Sequence, residues 1–171
     1  RGYFYNCLIE GATDFIYDSG LEWFESCTIN CVPGGGYITA AADASLKMTK
    51  VLYPSLSNET FYAVLCFNNC NITADAGVAD GSYYLGRPWK EQCGTVFMNC
   101  TLGNHIKSVG WAAWNGAENS ASYYEYKNID PDGNPVNTSG RASWSHQATQ
   151  NFSFRSKIRK RYSTPKFFSQ Q

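Results

Sequence analysis

Charge is scarce in this sequence. Asp, Glu, Lys and Arg make up 16% of its 171 residues, below the usual quarter or so of a globular chain. The 14 acidic and 14 basic residues cancel, which excludes an acidic or basic disordered chain and gives no reason to expect a nucleic-acid partner. There are two histidines, His105 and His146, and neither stands at ligand spacing from the nearest cysteine pair, Cys27 and Cys31. No metal site or cofactor is therefore expected. No apolar run approaches the ~20 residues of a membrane span, so no membrane insertion is expected. Helix signals are poor as well, because the best segment, Ala40–Val51, is short and is followed by Pro54. The chain opens on Arg1 without Met or a signal-like apolar run and reads as a processed chain or a piece of a longer one. Acidic residues are missing from residues 133–171, which carry a net charge of +7 against −7 for residues 1–132. We therefore expect a domain over residues 1–150 and a basic tail over 151–171. The tail either neutralises the acidic body or meets a polyanion.

Aromatics and cysteines are plentiful. Ten Phe, twelve Tyr and five Trp suit β structure and a ring-binding surface. The cysteines sit in a repeated phrase, Phe-x-Asn/Ser-Cys-x-aliphatic. It occurs at Phe4–Ile9, Phe24–Ile29, Phe67–Ile72 and Phe97–Leu102. Phe stands three residues before Cys and the aliphatic residue two after it, and the phrase is read as a strand with all three on one face. The Cys-to-Cys steps are 20, 43 and 30 residues. The middle step fits two coils, or one coil with an insertion around Lys47–Phe61. Short strands recurring at such intervals predict a solenoid, an all-β parallel β-helix in which stacked coils share one core. Cys7, Cys27, Cys70 and Cys100 would then form an interior ladder of buried free thiols. Disulfides between neighbouring coils are the alternative.

A second register is more informative. Asp14 lies 13 residues before Cys27, and Arg87 lies 13 residues before Cys100. Equal offsets predict the same face of the stack, with Tyr37–Ala41 in the coil between them. Two inter-strand steps come to about 10 Å, which an Asp and an Arg side chain can bridge together. A carboxylate held by a guanidinium fork is oriented and can serve as a nucleophile toward an activated carbonyl, or the pair can be a structural salt bridge.

The segments around these two residues, Gly11-Ala12-Thr13-Asp14-Phe15-Ile16-Tyr17 and Tyr84-Leu85-Gly86-Arg87-Pro88-Trp89, resemble the pectin methylesterases, carbohydrate esterases that demethylate pectin. Further text agrees, including Gly110-Trp111, Trp114-Asn115-Gly116, Tyr123-Tyr124-Glu125-Tyr126 and Thr138-Ser139-Gly140-Arg141. The resemblance spans about residues 3–145. It implies a right-handed parallel β-helix and hydrolysis of C6 methyl esters of homogalacturonan in a secreted or cell-wall setting. It also implies Asp14 as nucleophile, Arg87 as the arginine that holds it, Trp89 on the sugar cleft, and Trp111 and Tyr17 as further cleft aromatics.

The family's second aspartate, a general acid, and its oxyanion glutamines lie upstream in a Gln-Asp-containing stretch. No Gln-Asp pair occurs in this sequence. The N-terminal coils are thus expected to be missing and the first coil uncapped, so the chain alone should show little turnover unless another chain or segment supplies them. Asp18, four residues past Asp14, reads as a turn residue rather than a substitute acid. The competing functions are a non-catalytic β-helix that binds acidic polysaccharide and an assembly module with open coil ends.

Overall fold

The computed structural model describes residues 2–20, 22–42 and 65–148. Each coil is built from short strands divided among three parallel sheets. The first coil holds β1 (Gly2–Tyr5), β2 (Leu8–Gly11) and β3 (Thr13–Asp18), and the second β4 (Glu22–Glu25), β5 (Thr28–Cys31) and β6 (Tyr37–Ala41). The third holds β7 (Leu65–Asn68), β8 (Asn71–Ala74) and β9 (Tyr84–Pro88), and the fourth β10 (Gly94–Met98) and β11 (Thr101–Leu102). The fifth begins with β12 (Ser122–Tyr126), and β13 (His146–Gln147) closes the described fold. The sheets run β1-β4-β7-β10-β12-β13, β11-β8-β5-β2 and β3-β6-β9. This is the expected all-β stack of a parallel β-helix.

β4 pairs directly with β7, β5 with β8, and β6 with β9. The 43-residue step is therefore one coil with an insertion, and the Lys47–Phe61 segment itself lies outside the described residues. The weak helix candidate Ala40–Val51 begins on Ala40 and Ala41, which are strand residues of β6. The stacking edge of β9 fixes that conformation, and residues 43–64 lie outside the described residues. So does the basic tail.

The repeated phrase forms two strands, not one. Asn6, Ser26, Asn69 and Asn99 all have φ of 53–54°, a left-handed corner that Asn tolerates better than most residues. The corner passes the chain from the first sheet to the second. Phe, Cys and the aliphatic residue all still face inward. Each corner amide donates to the next coil: Asn6 to Glu25 O at 3.0 Å, Ser26 to Asn68 O at 3.0 Å, Asn69 to Met98 O at 3.1 Å and Asn99 to Tyr126 O at 2.8 Å. The backbone ladder thus continues through the bend, where a bare corner would bury unpaired groups.

Inside, Phe4, Phe24, Phe67 and Phe97 stack at centroid distances of 4.9, 4.6 and 4.3 Å. Cys27, Cys70 and Cys100 are fully buried behind them, and none of the seven cysteines forms a disulfide. Burial alone pushes the Cys31 thiol up to about 12, so it is a packing group and not a nucleophile. On the first coil Tyr3, Phe4, Tyr5 and Leu8 are exposed.

At the other end the register replaces phenylalanine by Glu125, which pairs with Phe97, and cysteine by Asn128 after a left-handed Lys127. Glu125 is 1% exposed. It accepts from Arg141 Nε at 2.7 Å and Nη2 at 3.0 Å, from Trp111 Nε1 at 3.2 Å, and from Asn128 Nδ2 at 3.3 Å. Arg141 also donates to the carbonyls of Lys107 and Ser108, tying two loops to the last coil. Removing one member of so buried a pair leaves an unpaired charge. Glu125→Ala should lose about 3–5 kcal/mol of stability in urea unfolding, while the double variant Glu125→Leu/Arg141→Met should recover most of it. His105 is 4% exposed and packs edge-on against Tyr83 at 5.9 Å, and burial lowers its pKa from 6.5. Its neutral form is favoured in the fold, so stability present above pH 6.5 is lost as pH falls and the unfolded chain takes up the proton. Subtracting the pH–stability curve of His105→Gln from that of the wild type should isolate this loss.

Candidate active site

The site lies on the outer face of the β3-β6-β9 sheet. β3 and β6 pair from Thr13↔Tyr37 to Ile16↔Thr39, with one extra residue in β3 between those partners. Asp14 sits in this bulge with φ of 51°. A bulge re-aims a side chain that regular pleating would place elsewhere, and Asp tolerates the left-handed region better than most residues. Two strands away, Arg87 is in register with Ala40, and Ala40 with Tyr17. The methyl of Ala40 leaves room for the arginine to lie across β6. Gly86 before it has no alternative, since a Cβ there would come within 1.8 Å of Thr39 Oγ1, and that hydroxyl donates to Leu85 O at 2.9 Å.

The two charged side chains meet 73 positions apart in sequence. Arg87 Nε donates to Asp14 Oδ1 at 3.0 Å, and Nη2 donates to Oδ2. Each carboxylate oxygen keeps a second lone pair for chemistry. The hydrogen bond to Asp14 is the main reason the Arg87 pKa rises above its ordinary value, so the guanidinium stays cationic. The side chains of Arg87 and Asp14 are 15% and 28% exposed, open enough for a substrate to reach. The equal-offset argument identified the correct sheet and the intervening strand. It missed the row, because Tyr17 and not Asp14 stands level with Arg87.

A cleft of about 340 Å³ opens over the pair, lined by Asp14, Tyr17, Ala40, Arg87, Trp89 and Trp114. Trp89 and Tyr17 are 47% and 64% exposed, with their rings edge-to-face at 6.1 Å. The Trp89 amide donates to Ala41 O at 2.9 Å, which anchors its backbone to β6. The aromatic wall therefore stands beside the carboxylate. Trp111 does not belong to it. Its ring is 1% exposed, lies edge-on to Tyr123 at 4.8 Å and gives its N–H to buried Glu125. A bridge between Gly86 and Trp111 sets that residue on the core side. Trp114, three residues on, lies on the cleft instead. The sequence signal was the Trp114-Asn115-Gly116 turn, where Asn115 and Gly116 have φ of 52° and 84°.

Asp18 ends β3 opposite Ala41 and accepts from the Ser19 amide at 2.7 Å, so it caps the strand away from the cleft. Its carboxylate helps to raise the Glu22 pKa, after the larger effect of burial. Among the described residues no three His, Cys, Asp or Glu side chains cluster so as to hold a metal.

Comparison with known proteins agrees with this geometry. A family model described as Pectinesterase matches residues 1–170. A probable pectinesterase A of Neosartorya fischeri is 39% identical over 130 residues, 75% of this chain and 35% of that protein. The pectin methylesterase of Aspergillus niger superposes with a TM-score of 0.66 at 32% identity, over 86% of this chain and 44% of that one. The carrot pectin methylesterase superposes with a TM-score of 0.68 at 28% identity, over 86% and 45%. The chain thus spans about a third of the curated relative's length. With its stacked coils, its paired Asp14 and Arg87 and its aromatic cleft, it belongs to the pectinesterase family.

Proposed function

We propose that this chain carries the nucleophile and sugar-binding wall of a secreted or cell-wall pectin methylesterase. The observation that supports this is the forked Asp14–Arg87 pair at the floor of an aromatic-walled cleft. Asp14 attacks the C6 carbonyl carbon of a methylated galacturonate in homogalacturonan. The resulting tetrahedral intermediate collapses to an acyl-enzyme as the methoxy oxygen takes a proton and leaves as methanol. Water then cleaves the anhydride, which frees galacturonate and restores the carboxylate. Arg87 keeps one carboxylate edge engaged so that the other faces the ester. Trp89 and Tyr17 pack against the C–H faces of the sugars.

Asp14 is the one carboxylate among the residues lining the cleft. The acid that protonates methanol and the donors that hold the oxyanion must therefore come from elsewhere. The exposed apolar face of the first coil is where further coils could stack, from an upstream segment or another chain. This predicts an assay result. A protein that includes those coils should release methanol from methylated homogalacturonan, and Asp14→Asn in it should lower kcat by about 10³-fold or more. Trp89→Ala should raise KM by about tenfold with a smaller change in kcat. The 171 residues alone should show little turnover. Full activity from them, or from Asp14→Asn, would overturn the reading. Pectate binding without methanol release, unchanged in Asp14→Asn and weakened by salt, would point to a polysaccharide-binding role instead.

A further inference from the structure

Among the described residues the Arg87 guanidinium is the one hydrogen-bond donor to the Asp14 side chain. The direction of the carboxylate therefore depends on what holds Arg87. Its Cζ lies 3.9 Å from the centroid of the Tyr37 ring and 4.2 Å from that of the Trp114 ring, so two aromatic faces enclose the guanidinium. The lower face is rigid: Tyr37 stacks on its register partner Tyr84 at 5.1 Å and 7°, and Lys107 Nζ lies 5.1 Å from the Tyr84 centroid. The upper face is also anchored, since the Trp114 amide donates to Glu118 Oε2 at 2.9 Å and its carbonyl accepts from the Ala117 amide at 3.0 Å. A planar cation packed against two ring faces resists tilting, and the fork to Asp14 stops it from sliding.

We propose that Tyr37 and Trp114 are positioning residues that clamp Arg87 and, through it, orient the Asp14 carboxylate before substrate arrives. Trp114 also lines the cleft, so a sugar bound there would close the upper wall. The consequence for catalysis rests on the esterase reading above, but the clamp itself does not.

The test is selective ¹⁵N NMR of the Arg87 Nε–H in the 171-residue chain, assigned by its disappearance in Arg87→Lys. In Trp114→Ala and in Tyr37→Leu, exchange of this proton with solvent should rise by about tenfold or more. Exchange of the Phe67 and Phe97 amides should stay as in the wild type. Trp114→Phe and Tyr37→Phe, which restore a ring face, should return it to within about threefold. In a protein with the remaining coils, Trp114→Ala should lower kcat more than it changes KM. An Arg87 signal with wild-type exchange in Trp114→Ala and Tyr37→Leu overturns the clamp, as does rescue by Trp114→Leu equal to that by Trp114→Phe. Loss of protection with no methanol released by the wild-type protein leaves the clamp standing and removes the esterase reading. Methanol release that needs Asp14, with exchange unaltered, does the reverse.

Discussion

The cleft on this molecule is placed by the register between coils. A backbone amide at each left-handed corner reaches the carbonyl of the next coil, as Ser26 reaches Asn68 O and Asn69 reaches Met98 O. That constraint fixes how far each coil can slip. A slip of one residue would turn Phe24, Phe67 and Phe97 out of the core. It would also separate Arg87 from the β3 bulge that presents Asp14. Packing of the phenylalanine and cysteine columns and alignment of Asp14 with Arg87 are thus two consequences of one ladder.

Two arginine–carboxylate pairs show what burial does to the same chemistry. Arg141 and Glu125 are almost wholly enclosed and share a network with Trp111 and Asn128. No substrate reaches them, and their effect is to close the last coil. Arg87 and Asp14 have the same forked geometry but lie at the bottom of an open cleft. Exposure weakens such a pair as a stabiliser and makes it available for chemistry. The aromatic faces of Tyr37 and Trp114 supply the rigidity that burial supplies at the other pair.

Much of this was legible in the residues, for identifiable reasons. The Phe-x-Asn/Ser-Cys-x-aliphatic phrase repeats because each coil solves the same corner, so the repeat revealed the stack. Asp14 and Arg87 share an offset from that corner, which placed them on one sheet with Tyr37–Ala41 between them. The bend at its Asn or Ser was legible too, because Phe and Cys are three apart and both face inward, an odd step that a straight strand of period two does not allow. The fifth coil stayed hidden because Glu125 and Asn128 stand where phenylalanine and cysteine were sought. The Asn115-Gly116 turn is the one sequence cue that separates Trp114 from Trp111. Which of them faces the cleft depends on the bridge to Gly86, and pairing of that kind is absent from spacing. The bulge at Asp14 was equally invisible, since nothing in Thr13-Asp14-Phe15 reports its backbone angle.

The measurement that bears most directly on Asp14 as a nucleophile is partitioning of the acyl group. With methylated homogalacturonan, a protein carrying the remaining coils and added hydroxylamine, an acyl-enzyme is intercepted after methanol has left. The account predicts that galacturonyl hydroxamate forms at the expense of galacturonate while methanol release is undiminished, and that Asp14→Asn forms neither. Methanol release with no hydroxamate, or hydroxamate formed equally well by Asp14→Asn, would contradict it.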